Sequence, residues 1–159
     1  MLREETIDTY TQLVKKVKEA QGAPVSISAD LAVTHNVMML EEVIAYLRNN
    51  AGELLVDRPF AVRDGITRLT WHCFYSCALL GTNPIEVYNA MNRFSARGIV
   101  TGSLDDIALF IDNTIENDQS SSNTWLALLT KVTMTAQTLN AVDPDLIRKL
   151  QNHIKAIYP

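Results

Sequence analysis

Apolar residues recur at intervals of three and four along most of the chain, which is the spacing of one face of an α-helix. The first such stretch, residues 4–20, has this spacing at Ile7, Tyr10, Val14 and Val17. Residues 31–50 repeat it over a longer span, and residues 62–80 form the most apolar stretch of the chain. Further helices are expected after Asn83-Pro84, after Ser103, over residues 124–140, and from Asp143-Pro144 to about residue 158. The pattern therefore predicts about seven helices, no strand and an all-α fold.

Residues that start and stop helices separate these apolar stretches. Ser28 or Asp30 can cap the second helix, and Ser103 can cap the helix that follows it. Gly81 is a typical helix stop, and Pro84 suits the first turn of the next helix. We expect connections over residues 25–30, 51–61, 95–103 and 118–123.

The second half of the chain repeats a pattern of the first half. Leu40-Glu41-Glu42-Val43 returns as Leu104-Asp105-Asp106-Ile107, an offset of 104 − 40 = 64 residues. Asn83-Pro84 returns as Asp143-Pro144, an offset of 143 − 83 = 60. We interpret the chain as one helical domain, residues 1–159, with an internal duplication of about 31–98 and 103–158. Two such units are expected to form a four-helix core with pseudo-twofold symmetry. The alternative is that amphipathic helices joined by Asx-Pro turns resemble one another by chance.

Composition narrows the functional classes. Hydrophobic residues make up 47% and charged residues 20% of the chain, as in a globular protein, and the net charge is −4. No cluster of Lys and Arg is present to neutralise a nucleic-acid backbone, so general nucleic-acid binding is not expected. One or two cations would still suffice for a small phosphate ligand. No apolar run approaches the ~20 residues of a membrane helix. Without an apolar signal core near residue 1, the protein is expected to be cytoplasmic, with Cys73 and Cys77 reduced and buried.

The segment Asp64-Gly65-Ile66-Thr67-Arg68-Leu69-Thr70-Trp71, which runs on to Ala78-Leu79-Leu80-Gly81, is similar to a known pattern. It resembles the phage-type branch of the MazG-like all-α nucleoside triphosphate pyrophosphohydrolases. Residues 83–93 and 21–25 resemble the neighbouring parts of that family, so the similarity covers about residues 8–98. It implies a MazG-like helical bundle and magnesium-dependent release of pyrophosphate from nucleotides.

The resemblance assigns magnesium ligands to a Glu-Glu-x-x-Glu set on one helix and a Glu-x-x-Asp set on the next. Glu41 and Glu42 match the first two acids, and Asp64 precedes the second set by one residue. The remaining ligand positions hold residues that cannot bind magnesium, namely Ala45, Gly65 and Arg68. Magnesium is therefore expected only at Glu41, Glu42 and Asp64. No catalytic residue is assigned. One candidate replacement for the metal bridge is an ion pair from Arg68 to Glu41 or Glu42.

A nucleotide would be held by Arg68 on its phosphates, with Trp71 and Tyr75 beside its base. The resemblance adds Arg93 and Arg97 as further phosphate contacts. The alternatives are a structural ion pair for Arg68, core packing for the aromatics, and plain surface for the two later arginines.

The preferred hypothesis is a MazG-like nucleotide-binding protein whose pyrophosphohydrolase activity is lost or altered. The alternatives are an active magnesium-dependent enzyme that uses acids of the second repeat or of another subunit, and a non-catalytic interaction protein. The expected partner is a nucleotide or another small phosphate ligand. The sequence is also compatible with a homo-oligomer.

Overall fold

Eight α-helices follow one another in the part of the chain that the computed structural model describes, residues 3–23, 28–92 and 102–159. No strand occurs within these ranges, so the predicted all-α class is confirmed. No helix in these ranges is both long and apolar enough to cross a membrane. The helices are α1 (Arg3–Gln21), α2 (Ala29–Asn49), α3 (Ala51–Asp57), α4 (Pro59–Leu79), α5 (Pro84–Met91), α6 (Leu104–Phe110), α7 (Ser122–Thr138) and α8 (Leu146–Ile157).

Two predicted capping residues, Ser28 and Ser103, begin α2 and α6, and Asn83 begins α5. The Ser28 hydroxyl accepts a hydrogen bond from the amide of Leu31 at 3.3 Å, and Ser103 accepts one from the amide of Asp106 at 3.0 Å. Asn83 caps α5 in the same way, and Pro84 occupies the first turn. These side chains satisfy backbone N–H groups that have no partner within the helix.

Two stretches differ from the predicted pattern. Residues 51–57, expected as a connection, form the short helix α3. The helix that begins at Leu104 does not end with α6 but continues as a π-helical segment, Ile111–Ile115. In this segment the amide of Glu116 donates to the carbonyl of Ile111 at 3.1 Å, one residue further than in an α-helix. The hydrophobic period alone does not distinguish these two backbone geometries.

Four helices surround the core. Helix α2 packs against α4, α4 against α7, α7 against α6, and α6 back against α2, which closes a ring. Fully buried side chains from all four fill its centre, among them Leu40, Leu69, Phe74, Ile107, Trp125 and Leu128. Helix α4 also contacts α1, α3 and α8, so it is the element around which the rest of the fold is arranged.

The turns that end α4 and α7 have matching geometry. Gly81 and Asn140 both have positive φ angles, 72° and 51°. The amide of Thr82 donates to the carbonyl of Cys77 at 2.9 Å, and the amide of Ala141 donates to Ala136 at 2.7 Å. Such bonds from beyond the helix end to its last turn satisfy carbonyls that would otherwise lack partners. Each turn is followed by an Asx-Pro pair, Asn83-Pro84 after α4 and Asp143-Pro144 after α7.

Candidate functional site

Gly65, which stands where the resemblance expects a metal-binding glutamate, lies buried in the contact between α2 and α4. A Cβ atom built on Gly65 would lie 2.8 Å from Cδ2 and 2.9 Å from Cδ1 of Leu47. Leu47 is itself fully buried. A glutamate side chain at position 65 would therefore push the two helices apart, and this position serves helix packing rather than metal binding.

The predicted ion pair from Arg68 to Glu41 or Glu42 is absent. The Arg68 side chain is exposed, and no carboxylate within residues 3–23, 28–92 or 102–159 approaches it to ion-pair distance. Glu41 instead lies beside acids of the second half of the chain. Arg68 consequently presents a positive charge that has no carboxylate counter-ion among the described residues.

Arg68 lines a surface groove of about 440 Å³ between α4 and α8. Helix α4 contributes Asp64, Thr67 and Arg68 to its walls, and α8 contributes a second set, Lys149, Asn152, His153 and Ala156. Both helices thus place cationic or hydrogen-bonding side chains along one seam. The sequence gives no sign of the α8 residues, because they lie at ordinary helical spacing and far from Arg68 along the chain.

The charge of Arg68 acts on two histidines. Burial, followed by the charges of Arg68, His153 and His35, lowers the pKa of His72 to about 4. Burial also lowers the pKa of His153, again with a contribution from Arg68. Both imidazoles are therefore neutral near pH 7. The other two histidines of the chain, His35 and His153, thus both lie within electrostatic reach of His72.

A buried hydrogen-bond network sets the orientation of His72. Its Nδ1 lies 3.0 Å from the side-chain oxygen of Asn36, and the Asn36 amide group donates to the Ser76 hydroxyl at 2.9 Å. Because an amide oxygen only accepts hydrogen bonds, this network assigns the proton of His72 to Nδ1. Nε2 is then the unprotonated nitrogen of the ring.

Lys149 does not add a free charge to the groove. Its ammonium group pairs with Asp64 at 3.2 Å and with the buried carboxylate of Asp143. Burial alone would raise the pKa of Asp143, but the hydrogen bonds from Lys149, the amide of Asp145 and the Thr67 hydroxyl lower it. Lys149 thereby joins α8 to α4. The structure accordingly places Asp64 in an ion pair with a lysine and does not bring it together with Glu41.

Trp71 supports the groove from beneath. It is 3% exposed and stacks on Tyr75 with ring centres 5.2 Å apart and on His153 with centres 4.9 Å apart. It holds the His153 ring in position and is not open to a ligand. Tyr75 is half-buried, and its hydroxyl shares a hydrogen bond of 2.9 Å with Tyr158. The remaining predicted phosphate contacts, Arg93 and Arg97, lie outside the described residues.

Glu41 belongs to a second cluster, formed with Asp112 and Glu116. One carboxylate oxygen of each lies within 4.8 Å of the others. A hydrogen bond with Glu116, followed by burial and repulsion from Glu116 and Asp112, raises the pKa of Glu41 to about 7. Glu41 is therefore partly protonated near neutral pH. Glu42 is exposed and lies outside this group.

The π-helical segment shapes this cluster. Asp112 lies within that segment, and the amide of Glu116 closes its last hydrogen bond. Neither acid was expected from the sequence, in which Asp105 and Asp106 are the acids that match the first repeat. Those two residues instead make surface ion pairs, Asp105 with Arg48 at 2.8 Å and Asp106 with Lys131 at 2.9 Å.

Comparisons with known proteins give no match that would assign a function. No protein-family model matches the chain, and no curated protein or solved structure is significantly similar to it.

Proposed function

We propose that this protein binds a small phosphate-bearing ligand of the nucleotide class in the groove between α4 and α8, with Arg68 as the main phosphate contact. One observation carries the proposal. The Arg68 guanidinium is exposed and has no carboxylate partner among the described residues, although the protein as a whole is acidic, with a net charge of −4. A bound phosphate would supply the missing counter-ion.

The groups beside Arg68 suit this role. A guanidinium presents a planar fork of N–H donors that matches two phosphate oxygens at once. Asn152 and His153 line the same groove and can donate further hydrogen bonds. His153 is held against Trp71, so its position is already set before a ligand arrives. A ligand then binds without first having to order this ring.

The proposal includes descent from a MazG-like bundle of the phage-type branch by internal duplication. The closed ring of α2, α4, α7 and α6 and the matching turns after α4 and α7 support it. Loss of the ordinary hydrolase activity is part of the same proposal. Gly65 fills a packing position, and Asp64 pairs with Lys149 rather than standing free for a metal.

Isothermal titration calorimetry with inorganic triphosphate, in magnesium-free buffer, tests the binding function. The wild-type protein should bind, and a ligand concentration of one hundred times Kd should raise the stability by about 2.7 kcal/mol in a thermal unfolding assay. Arg68→Gln should abolish both signals. Arg148→Gln is the matched control, because it removes one exposed arginine from α8 whose partner is Asp145 outside the groove. Binding that survives Arg68→Gln, or no binding at all, would contradict the proposal.

A second candidate is magnesium-dependent pyrophosphohydrolysis, which the meeting of Glu41, Asp112 and Glu116 favours. Hard divalent cations prefer carboxylate oxygens, and a cation bound here would displace the proton of Glu41. The assay is pyrophosphate release from a panel of nucleoside triphosphates with magnesium. Release at ordinary enzymatic rates that Glu41→Gln abolishes would favour this candidate over the binding protein.

A further inference from the structure

A second cavity opens at the other end of the seam between α4 and α8. Its volume is about 620 Å³, within the range of small-molecule sites. The ends of four helices surround it, and its walls are mainly apolar, with Val17, Leu31, Ala32, Leu79 and Ile157 among the lining residues. Leu31 is 65% exposed and Ile157 42% exposed, although both are large apolar side chains. A ligand in this cavity would cover part of this apolar surface.

This apolar cavity also contains polar groups. Tyr75 and Tyr158, whose hydroxyls bond to each other at 2.9 Å, are among its lining residues, and so is His35. Each hydroxyl has one hydrogen and two lone pairs, so the pair keeps the capacity to donate and to accept further hydrogen bonds. Burial and the mutual hydrogen bond raise the pKa of Tyr75, so its proton stays in place at neutral pH. The cavity therefore suits a flat, mainly apolar ring that carries hydrogen-bonding atoms on its edge.

The cavity and the phosphate groove are neighbours. On α8, Ala156 lines the groove and the next residue, Ile157, lines the cavity. On α4, Tyr75 lies seven residues after Arg68, which corresponds to about 10 Å along a helix. Trp71 stands between them and stacks on Tyr75 of the cavity and on His153 of the groove. The sugar and phosphates of a nucleotide can span such a distance.

From these contacts we infer that the apolar cavity receives the aromatic ring of the same ligand whose phosphates bind at Arg68. The ligand class is then an aromatic phosphate ester with its ring and its terminal phosphate at opposite ends, as in a nucleoside triphosphate. This inference rests on the proposed function. It replaces the expectation that Trp71 faces the base, because Trp71 is buried and the space for a ring lies beyond Tyr75.

Calorimetry with two probes, inorganic triphosphate and a set of purine and pyrimidine nucleoside triphosphates, separates the inference from the proposed function. At least one nucleotide should bind about tenfold or more tightly than inorganic triphosphate, since ring burial and stacking add to the phosphate contacts. Ala32→Phe, which places a ring inside the cavity, should remove that advantage. It should leave the affinity for inorganic triphosphate unchanged. Ala45→Phe is the matched control on the same helix, because Ala45 is exposed and does not line the cavity.

Three results would count against the inference. Equal affinities of the wild-type protein for nucleotides and inorganic triphosphate would overturn it and leave the phosphate site intact. An equal loss of nucleotide affinity in Ala45→Phe and Ala32→Phe would also overturn it, because the effect would then not belong to the cavity. If neither probe bound to the wild-type protein, the proposed function would fail and the inference with it.

Discussion

Gly65 allows a quantitative test of the contact between α2 and α4. Replacing glycine by alanine inside a helix ordinarily stabilises it by about 1 kcal/mol, because alanine loses less conformational entropy. At position 65 the new Cβ would lie 2.8 Å from Leu47 Cδ2, closer than such atoms can approach. Overpacking of a core costs about 1–3 kcal/mol, so we expect Gly65→Ala to lower the free energy of unfolding by about 1 kcal/mol.

Gly52 is the matched control. It also lies in a helix, but a Cβ atom there would meet nothing within 4 Å. Gly52→Ala should therefore stabilise the protein by about 0.5–1 kcal/mol. The two variants should differ by roughly 2 kcal/mol, which is about 4–8 °C in the Tm of a domain of this size. Urea unfolding and thermal unfolding, followed by circular dichroism, measure both quantities.

A double-mutant cycle identifies the clash as the cause. Leu47→Ala alone should cost about 2–5 kcal/mol, because it leaves a cavity in the core. In the Leu47→Ala background the methyl group of Gly65→Ala no longer meets Cδ atoms, so the second substitution should become neutral or stabilising. If Gly65→Ala stabilises the wild-type protein as much as Gly52→Ala does, the close approach of α2 and α4 at this point is refuted.

Three further predictions concern titrating groups. The pKa of Glu41 rises from 4.5 to about 7 on folding, so the folded state binds the extra proton and stability should fall as the pH rises through this window. Glu41→Gln should remove this decline and stabilise the protein at pH 8 by about 1 kcal/mol, after allowance for solvent screening. Urea titrations across pH 4–8 measure both effects. The pKa of Asp143 falls on folding, so its stabilising contribution is present at pH values above the ordinary aspartate pKa and is lost as the pH falls through the lower folded pKa. Asp143→Asn should lower the free energy of unfolding by about 1–3 kcal/mol at pH 7 and flatten the acid limb of the stability curve. Burial, with a contribution from Arg68, holds the pKa of His153 below its ordinary value, and a bound anion should raise it. The affinity for sulfate should therefore increase as the pH falls from 7 to 5, by at most about tenfold per pH unit. A flat profile, or one that His153→Asn leaves unchanged, would contradict binding in the groove.

Local signals in the sequence were sufficient to predict most of the helices. Serine, asparagine and proline act on the backbone next to them, so Ser28, Asn83, Pro84 and Ser103 marked helix starts correctly. The π-helical segment could not be predicted in this way. Five residues are too few for i to i+5 hydrogen bonding to change the spacing of apolar residues visibly. Tertiary packing decides where such bonds form.

The candidate site depended on long-range packing, and the sequence predicted only part of it. Arg68 lines a groove, but its expected partners Glu41 and Glu42 do not lie beside it. The neighbours that matter, Lys149 and His153, lie more than 80 residues further along the chain. Helical periodicity shows which face of α8 is apolar, but it does not show which residues of α4 that helix will meet.

The hydrogen bonds among Asn36, His72 and Ser76 have a consequence for the alignment of α2 and α4. Apolar side chains tolerate a helix that slides along its neighbour, because one methyl group substitutes for another. A buried amide and imidazole do not, since a shift of one turn, about 5.4 Å, would leave both without partners. These three polar side chains therefore fix the alignment of α2 and α4, which the surrounding apolar contacts alone would not fix. An apolar replacement of all three residues could therefore preserve stability and yet allow several alignments of α2 against α4.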